Sequence, residues 1–174
     1  MRDVEPWFAH GLVVRKSRIH GLGLFTDYGL RKGDDILRFG GSFFHISQRN
    51  SHLVMPSTSI PLSEELVLAE PSAGERDLSD YINHSCNPNA GFRDALTLVA
   101  IKSINFEEEI VVDYTFWECD SAWRLKQPCN CGAESCRKLV KGTDWERILL
   151  ADPCMRFFSP FLRRRIISRS STQT

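Results

Sequence analysis

Three cysteines in the run Cys129-Asn-Cys131-Gly-Ala-Glu-Ser-Cys136 are the residues whose type and spacing point most sharply to chemistry. Thiols at positions 1, 3 and 8 of a tight loop can turn their sulfurs toward one point, with Gly132 allowing the bend. Three thiolates suit Zn²⁺, and a closed structural zinc site takes four ligands. The fourth comes from elsewhere in the chain, and Cys86, Cys119, Cys154 and His84 are the candidates. Reduced thiols in a polar loop, or a redox pair, are the competing readings. Cys119 and Cys154 stand alone, and a lone cysteine is ordinarily a small semi-buried hydrophobe.

Three other clusters carry chemical potential. Gly21-Leu22-Gly23 follows a strand-like run. A dinucleotide fingerprint needs a third glycine where Thr26 stands, and no phosphate-loop lysine follows. What remains is a tight turn with positive φ angles, or a backbone that a ligand approaches closely. Asn83-His84-Ser85-Cys86-Asn87-Pro88-Asn89 gathers polar side chains just after an acidic loop. Such a cluster either fixes an elaborate turn or binds something. Tyr114 ends the apolar run that begins at Glu109. A strand tyrosine considered alone is a core residue with a wet hydroxyl.

The elements that must position these residues are short strands. Leu12 to Ser17, Leu24-Phe25, Asp34 to Phe39, Leu66 to Leu68, Leu96 to Ile101 and Glu109 to Tyr114 have strand character, and Gly or Pro punctuates between them. This pattern predicts a mostly β domain. Residues 42–63 read as an irregular insert. Trp145 to Leu150 and Phe161 to Ile167 read as helices, the second with an arginine-rich face, and Ser168 to Thr174 as a frayed tail.

At 174 residues, 42% hydrophobic and 25% charged, the chain has the size and make-up of one soluble domain. Lysine plus arginine balances aspartate plus glutamate at 22 each, so nothing global draws it to nucleic acid or an anionic membrane. Charge is nonetheless uneven. Six acids lie between Ser63 and Asp80, and five arginines with no acid lie between Arg156 and Thr174. No secretion signal and no run near the roughly 18 apolar residues of a membrane span are present. An intracellular location is therefore expected, where clustered cysteines serve as metal ligands more often than as disulfides.

Taken in order, these segments resemble the SET family of protein lysine methyltransferases. Ser17 to Phe25 resembles the first family motif, and Asn83 to Asn89 the central one. Glu108-Glu109-Ile110 through Asp113-Tyr114 resembles the C-terminal motif, and Cys129, Cys131 and Cys136 the post-SET cysteines. The compact size and the ending Gly142 to Trp145 through Phe158 to Phe161 resemble stand-alone SET proteins of bacteria. The resemblance implies several small β-sheets around a pseudoknot-like crossing, a zinc-bound post-SET loop and short C-terminal helices. It divides the chain into a leader (1–11), a SET domain with the 42–63 insert (12–118), a zinc loop (119–141), and a helical segment with a basic tail (142–174).

The resemblance also implies a function. Methyl transfer from S-adenosylmethionine to a lysine amine of a protein substrate is expected, with Tyr114 as the catalytic residue. Gly21, Leu22, Gly23, Asn83, His84, Tyr114 and Leu139 are the implied cofactor contacts. Cys86 is implied as the fourth zinc ligand beside Cys129, Cys131 and Cys136. Two positions depart from the family pattern. Val112 stands where many members carry Phe or Tyr to tune the methylation state, and Val67 where a second site tyrosine is sought. A SET-fold module that binds cofactor or peptide with little turnover is therefore the alternative. The expected partner is a protein whose target lysine lies in a basic segment, drawn by the acids between Glu64 and Asp80. Nucleic-acid binding through Arg163 to Arg169 is a weaker expectation. The expected compartment is the cytoplasm, or chromatin in a eukaryotic setting.

Overall fold

The computed structural model describes residues 2–148 and 151–171. Its strands are β1 (Trp7–Phe8), β2 (Leu12–Lys16), β3 (Leu22–Thr26), β4 (Asp35–Arg38), β5 (Ser42–His45), β6 (Ile60–Pro61), β7 (Leu66–Ala69), β8 (Asn83–His84), β9 (Ala90–Phe92), β10 (Thr97–Ala100) and β11 (Glu109–Val112). A single α-helix, α1 (Pro160–Ser171), is found among the described residues. The mostly β expectation holds. The plural C-terminal helices reduce to α1 and short 3-10 turns.

Eight strands form one sheet in the order β1-β4-β10-β9-β11-β3-β2, with β8 joined to β11 off that path. β2 and β3 form an antiparallel hairpin, Leu12 opposite Thr26 and Lys16 opposite Leu22. Gly21 turns this hairpin at φ +51°, a conformation that disfavours a side chain. Strand β11 organises the rest. Its first half pairs antiparallel with β3, Glu109 opposite Phe25 and Ile110 opposite Leu24. Its second half runs parallel between β8 and β9, Val111 opposite Asn83 and Val112 opposite both His84 and Ala90. The strand therefore passes between two elements that are neighbours in sequence. Asn89 locks it there, its Oδ1 accepting from Val111 N–H at 2.8 Å and its Nδ2 donating to Glu109 C=O at 2.8 Å.

The apolar alternation of these strands feeds one core. Leu24, Ile36, Leu37, Leu98, Ile110 and Val112 have no exposed surface, and Phe92, Phe158 and Leu162 close over them. Helix α1 contributes Phe161, Leu162 and Ile166 as its buried stripe.

The region 42–63 is more regular than expected. It supplies two strands of a second, three-stranded sheet in the order β5-β7-β6. Tertiary pairing to β7, not local pattern, makes these strands, and Pro61 is tolerated because β6 is an edge. The helix expected from Trp145 is a 3-10 turn, Asp144–Arg147, and its expected end at Leu149 and Leu150 lies outside the described residues. The tail from Ser168 is helical through Ser171, and its last residues, 172–174, lie outside the described residues. Arg169 Nη1 donates to Glu146 C=O, and the hydroxyls of Ser170 and Ser171 donate back to the carbonyls of Ile166 and Ile167.

Candidate active site and metal centre

The strand predicted to end in Tyr114 stops at Val112. Asp113 then caps a 3-10 turn, Tyr114–Phe116, accepting from Thr115 N–H at 2.9 Å. The turn swings the tyrosine ring out of the sheet direction. Its hydroxyl donates to Ile82 C=O at 2.8 Å, and its ring lies 5.1 Å from Trp117, 5.2 Å from His84 and 6.0 Å from Trp123. Burial, with the nearby Glu109 charge, pushes the phenol up to about 12. The hydroxyl is therefore protonated at neutral pH.

His84 lies against it. Burial draws the imidazole down to about 4, against the pull of Asp113 and with Arg137 adding to the effect. The 3.6 Å approach of Nδ1 to Asp113 Oδ1 is accordingly not an ion pair at neutral pH. Nδ1 accepts from Tyr114 N–H at 3.2 Å. That bond assigns the ring proton to Nε2, which faces Cys86 Sγ at 3.3 Å.

The glycine turn is held from β11 and β8. Asn83 Nδ2 lies 3.2 Å from His20 C=O, 3.0 Å from Leu22 C=O and 2.7 Å from Glu109 Oε1. The other carboxylate oxygen of Glu109 accepts from Ser17 Oγ at 2.9 Å. A β-carbon on Gly23 would stand 2.2 Å from Glu109 Oε1, so a side chain there would displace the carboxylate from its bonds to Asn83 and Ser17. Leu22 stays 51% exposed and Leu139 67% exposed.

The four sulfurs of Cys86, Cys129, Cys131 and Cys136 all lie within 4.8 Å of one another. A tetrahedral zinc–sulfur shell places its sulfurs about 3.8 Å apart, so the set closes on an ion with sub-ångström adjustment. Backbone donors suit thiolates here. Arg137 N–H points at Cys86 Sγ and Cys86 N–H at Cys131 Sγ, each at 3.4 Å. Burial raises Cys86 and Cys129. The same burial is overcome at Cys131 by donors from Ala133, Cys86 and the neighbouring thiols, which bring it to about 6. The donor set can hold a metal. Cys119, Cys154 and His84, the other candidates, are not part of it.

The sequence reading thus found residues that the fold gathers: the glycine turn, Asn83, His84, Tyr114 and the four cysteines. It gave no role to Glu109, Ser17, Arg137, Asp113, Trp117 or Trp123. The signal for Glu109 was an acid heading an otherwise apolar strand opposite a glycine turn. Val112 and Val67 are wholly buried core residues. Much of the acidic run is spent inside the fold. Glu70 and Asp77 pair with Arg2, and Asp77 and Asp80 cap the turn Leu78–Tyr81. A groove of about 550 Å³ along α1 holds none of the site residues. Two of its arginines, Arg165 and Arg169, are engaged by Glu64, Glu146 and the Trp145 ring.

Comparison with known proteins adds the family. The rice (Oryza sativa subsp. japonica) histone-lysine N-methyltransferase TRX1 is 29% identical over 83% of this chain and 15% of its own length. Histone-lysine N-methyltransferase trr of Drosophila melanogaster is 31% identical over 79% of this chain and 6% of its own length. The chain thus spans a small fraction of these relatives. They are eukaryotic, and they carry the family, not the likeness to stand-alone bacterial proteins. Among solved structures, the methyltransferase domain of human SETMAR superposes with a TM-score of 0.54 at 26% identity, covering 76% of this chain and 58% of that one. The SET domain model matches residues 21–115, from the glycine turn to the tyrosine turn. With more than half of its length inside that match, the protein belongs to the SET domain family.

Proposed function

We propose that the chain is an S-adenosylmethionine-dependent protein lysine methyltransferase, with Tyr114 at the reacting centre and zinc held by Cys86, Cys129, Cys131 and Cys136. The observation that carries this reading is the convergence on β11: one short strand brings the glycine turn, Asn83, His84 and Tyr114 together. The relatives' names supply the reaction class. The division into a SET domain at 12–118 and a zinc loop at 119–141 goes with the proposal.

S-adenosylmethionine supplies a methyl already activated on a sulfonium. What the chain must do is bind, align and keep water out. The backbone of Gly21, Leu22 and Gly23 offers a surface that can be approached closely. Asn83 spends its amide hydrogens on the turn and leaves Oδ1 to accept from an ammonium. The open faces of Leu22 and Leu139 suit an adenosine that would cover them. Trp117 and Trp123 wall the tyrosine with apolar surface. An apolar wall lowers the pKa of an incoming lysine by disfavouring its charged form, which is what a nucleophilic amine requires. Tyr114, protonated at neutral pH, acts through its hydroxyl as an orienting group and not as a general base.

The target is proposed to be a lysine of a basic protein segment, as the relatives' histone substrates suggest. Methyl transfer from labelled S-adenosylmethionine to a panel of basic proteins tests the reading, with Tyr114→Phe alongside. Label on lysine that depends on Tyr114 supports it. Cofactor binding by calorimetry without label on any of the panel would favour the binding-module alternative.

A further inference from the structure

We propose that Arg137 is a positioning residue that ties the tyrosine turn to the cysteine cluster, so that filling the cluster fixes the pose of Tyr114. The inference rests on the methyltransferase reading for its consequence in turnover, but its geometry stands without it.

Arg137 follows the last cysteine directly, and its backbone N–H points at Cys86 Sγ at 3.4 Å. Its guanidinium, whose charge is also felt at Cys86, reaches the tyrosine turn. Nη2 donates to Asp113 Oδ1 at 2.6 Å, and Nη1 donates to Thr115 Oγ1 at 2.9 Å. Those two residues flank Tyr114, and the same Asp113 oxygen caps the turn that Tyr114 begins. The fork therefore grips the turn on both sides of the tyrosine. His84 closes the circuit from the opposite direction, with Nε2 facing Cys86 Sγ and Nδ1 accepting from Tyr114 N–H. Four polar contacts and the Asp113–Tyr114 peptide bond thus join Cys86, Arg137, Asp113, Tyr114 and His84 in one ring, with the sulfur at its junction.

Two features argue that the fork positions the turn and is not a generic ion pair. Only a planar guanidinium spans both acceptors at once, and a lysine would satisfy one. Arg137 also leaves its Nε buried with no hydrogen-bond partner, Asp144 Oδ2 standing 3.7 Å away. Charge alone draws that edge of the guanidinium toward Asp144, so a third group helps to hold the plane of the fork.

A metal that draws the sulfurs together fixes Cys86 Sγ and the backbone of Cys136. Arg137 then has one place to stand, and Asp113 and Thr115 follow it. With the cluster empty, the fork and the turn gain freedom together.

The test labels the three tyrosines with 3-fluorotyrosine and follows Tyr114 by ¹⁹F NMR, assigning it with Tyr28→Phe and Tyr81→Phe. In the wild type, removing zinc with a chelator is expected to shift or broaden the Tyr114 resonance. In Arg137→Met, with zinc content confirmed by metal analysis, the resonance is expected to be displaced already, and chelation to move it far less. Turnover should fall roughly tenfold through kcat, with KM nearly unchanged. Arg137→Lys should recover part of both signals. A zinc-loaded Arg137→Met with the wild-type resonance and the wild-type response to chelation would overturn the proposal. If Arg137→Met does not fold, Thr115→Val removes one arm of the fork alone. It must then shift the Tyr114 resonance in the same direction, and an unmoved resonance overturns the proposal equally. An intact ¹⁹F coupling in a protein that methylates nothing would keep the positioning role and reject the methyltransferase reading, so the two failures are separable.

Discussion

Tyr114 and the cysteine loop are held by different means. The tyrosine turn springs from β11, an interior strand with partners on both edges, and its neighbours Val112 and Phe116 sit in the main core. Residues 117–143 contain no strand or helix, and one isolated bridge, Arg124 to Lys141, is their regular pairing. Cys129 and Val140 are their deeply buried apolar anchors. A net hydrogen bond contributes about 1 kcal/mol, whereas structural zinc contributes about 10–16 kcal/mol in small zinc modules. The difference teaches that the first region is framed by the sheet, whereas the second has the four-cysteine cluster, a set able to hold a metal, as its main means of order.

Breaking the metal side should give the largest effect. Cys129→Ser is expected to take zinc from about one per chain to none by metal analysis, and to open residues 119–141 to limited proteolysis while the sheet persists by circular dichroism. Loss of the sheet along with the metal would erase the contrast. On the sheet side, Tyr114→Phe is expected to lower kcat on the order of 10²-fold while cofactor affinity and zinc content stay as they were. Full retained turnover would remove the hydroxyl from the mechanism.

Gly23→Ala sharpens the comparison inside the sheet. Its β-carbon would push the Glu109 carboxylate aside and break its bonds to Asn83 and Ser17, which hold the glycine turn. Weaker cofactor binding with unchanged zinc content, read by calorimetry and metal analysis, is the expected pair of results. The smallest effect is in pH. The folded state holds the Tyr114 phenol at about 12, above the 10.0 of a free tyrosine. Its contribution to stability is complete below the unfolded value and is lost as pH rises through about 12. Spectrophotometric titrations of wild type and Tyr114→Phe should therefore separate only as that pH is approached.

The contrast also explains what the sequence could reveal. Residue type and spacing carried the cysteine run, the glycine turn and the Asn83 segment, because each is a local pattern. The fourth member of the cluster was open on spacing alone, since Cys86 meets the other three cysteines through the pairing of β8 with β11. Strands β5 and β6 were missed because their order comes from β7. Arg137 and Asp113 looked like ordinary charges, and nothing local shows that residues 137 and 113 share a hydrogen bond. The short 3-10 turn at Tyr114 was hidden by an apolar run that reads on as strand through Tyr114.

The double pairing of β11 has a kinetic meaning as well. Its partners include residues 24–25, 83–84 and 90, so most of its neighbours are far away in the chain. Contacts of such long sequence separation form late, because the chain must close large loops before they are rewarded. Until β11 inserts between β8 and β9, Cys86 is not fixed against Cys129, Cys131 and Cys136, and Tyr114 is not packed against His84. If the cluster holds zinc as proposed, metal binding and assembly of the site are expected in the same late step, and zinc uptake during refolding would serve as a clock for the arrival of that one strand.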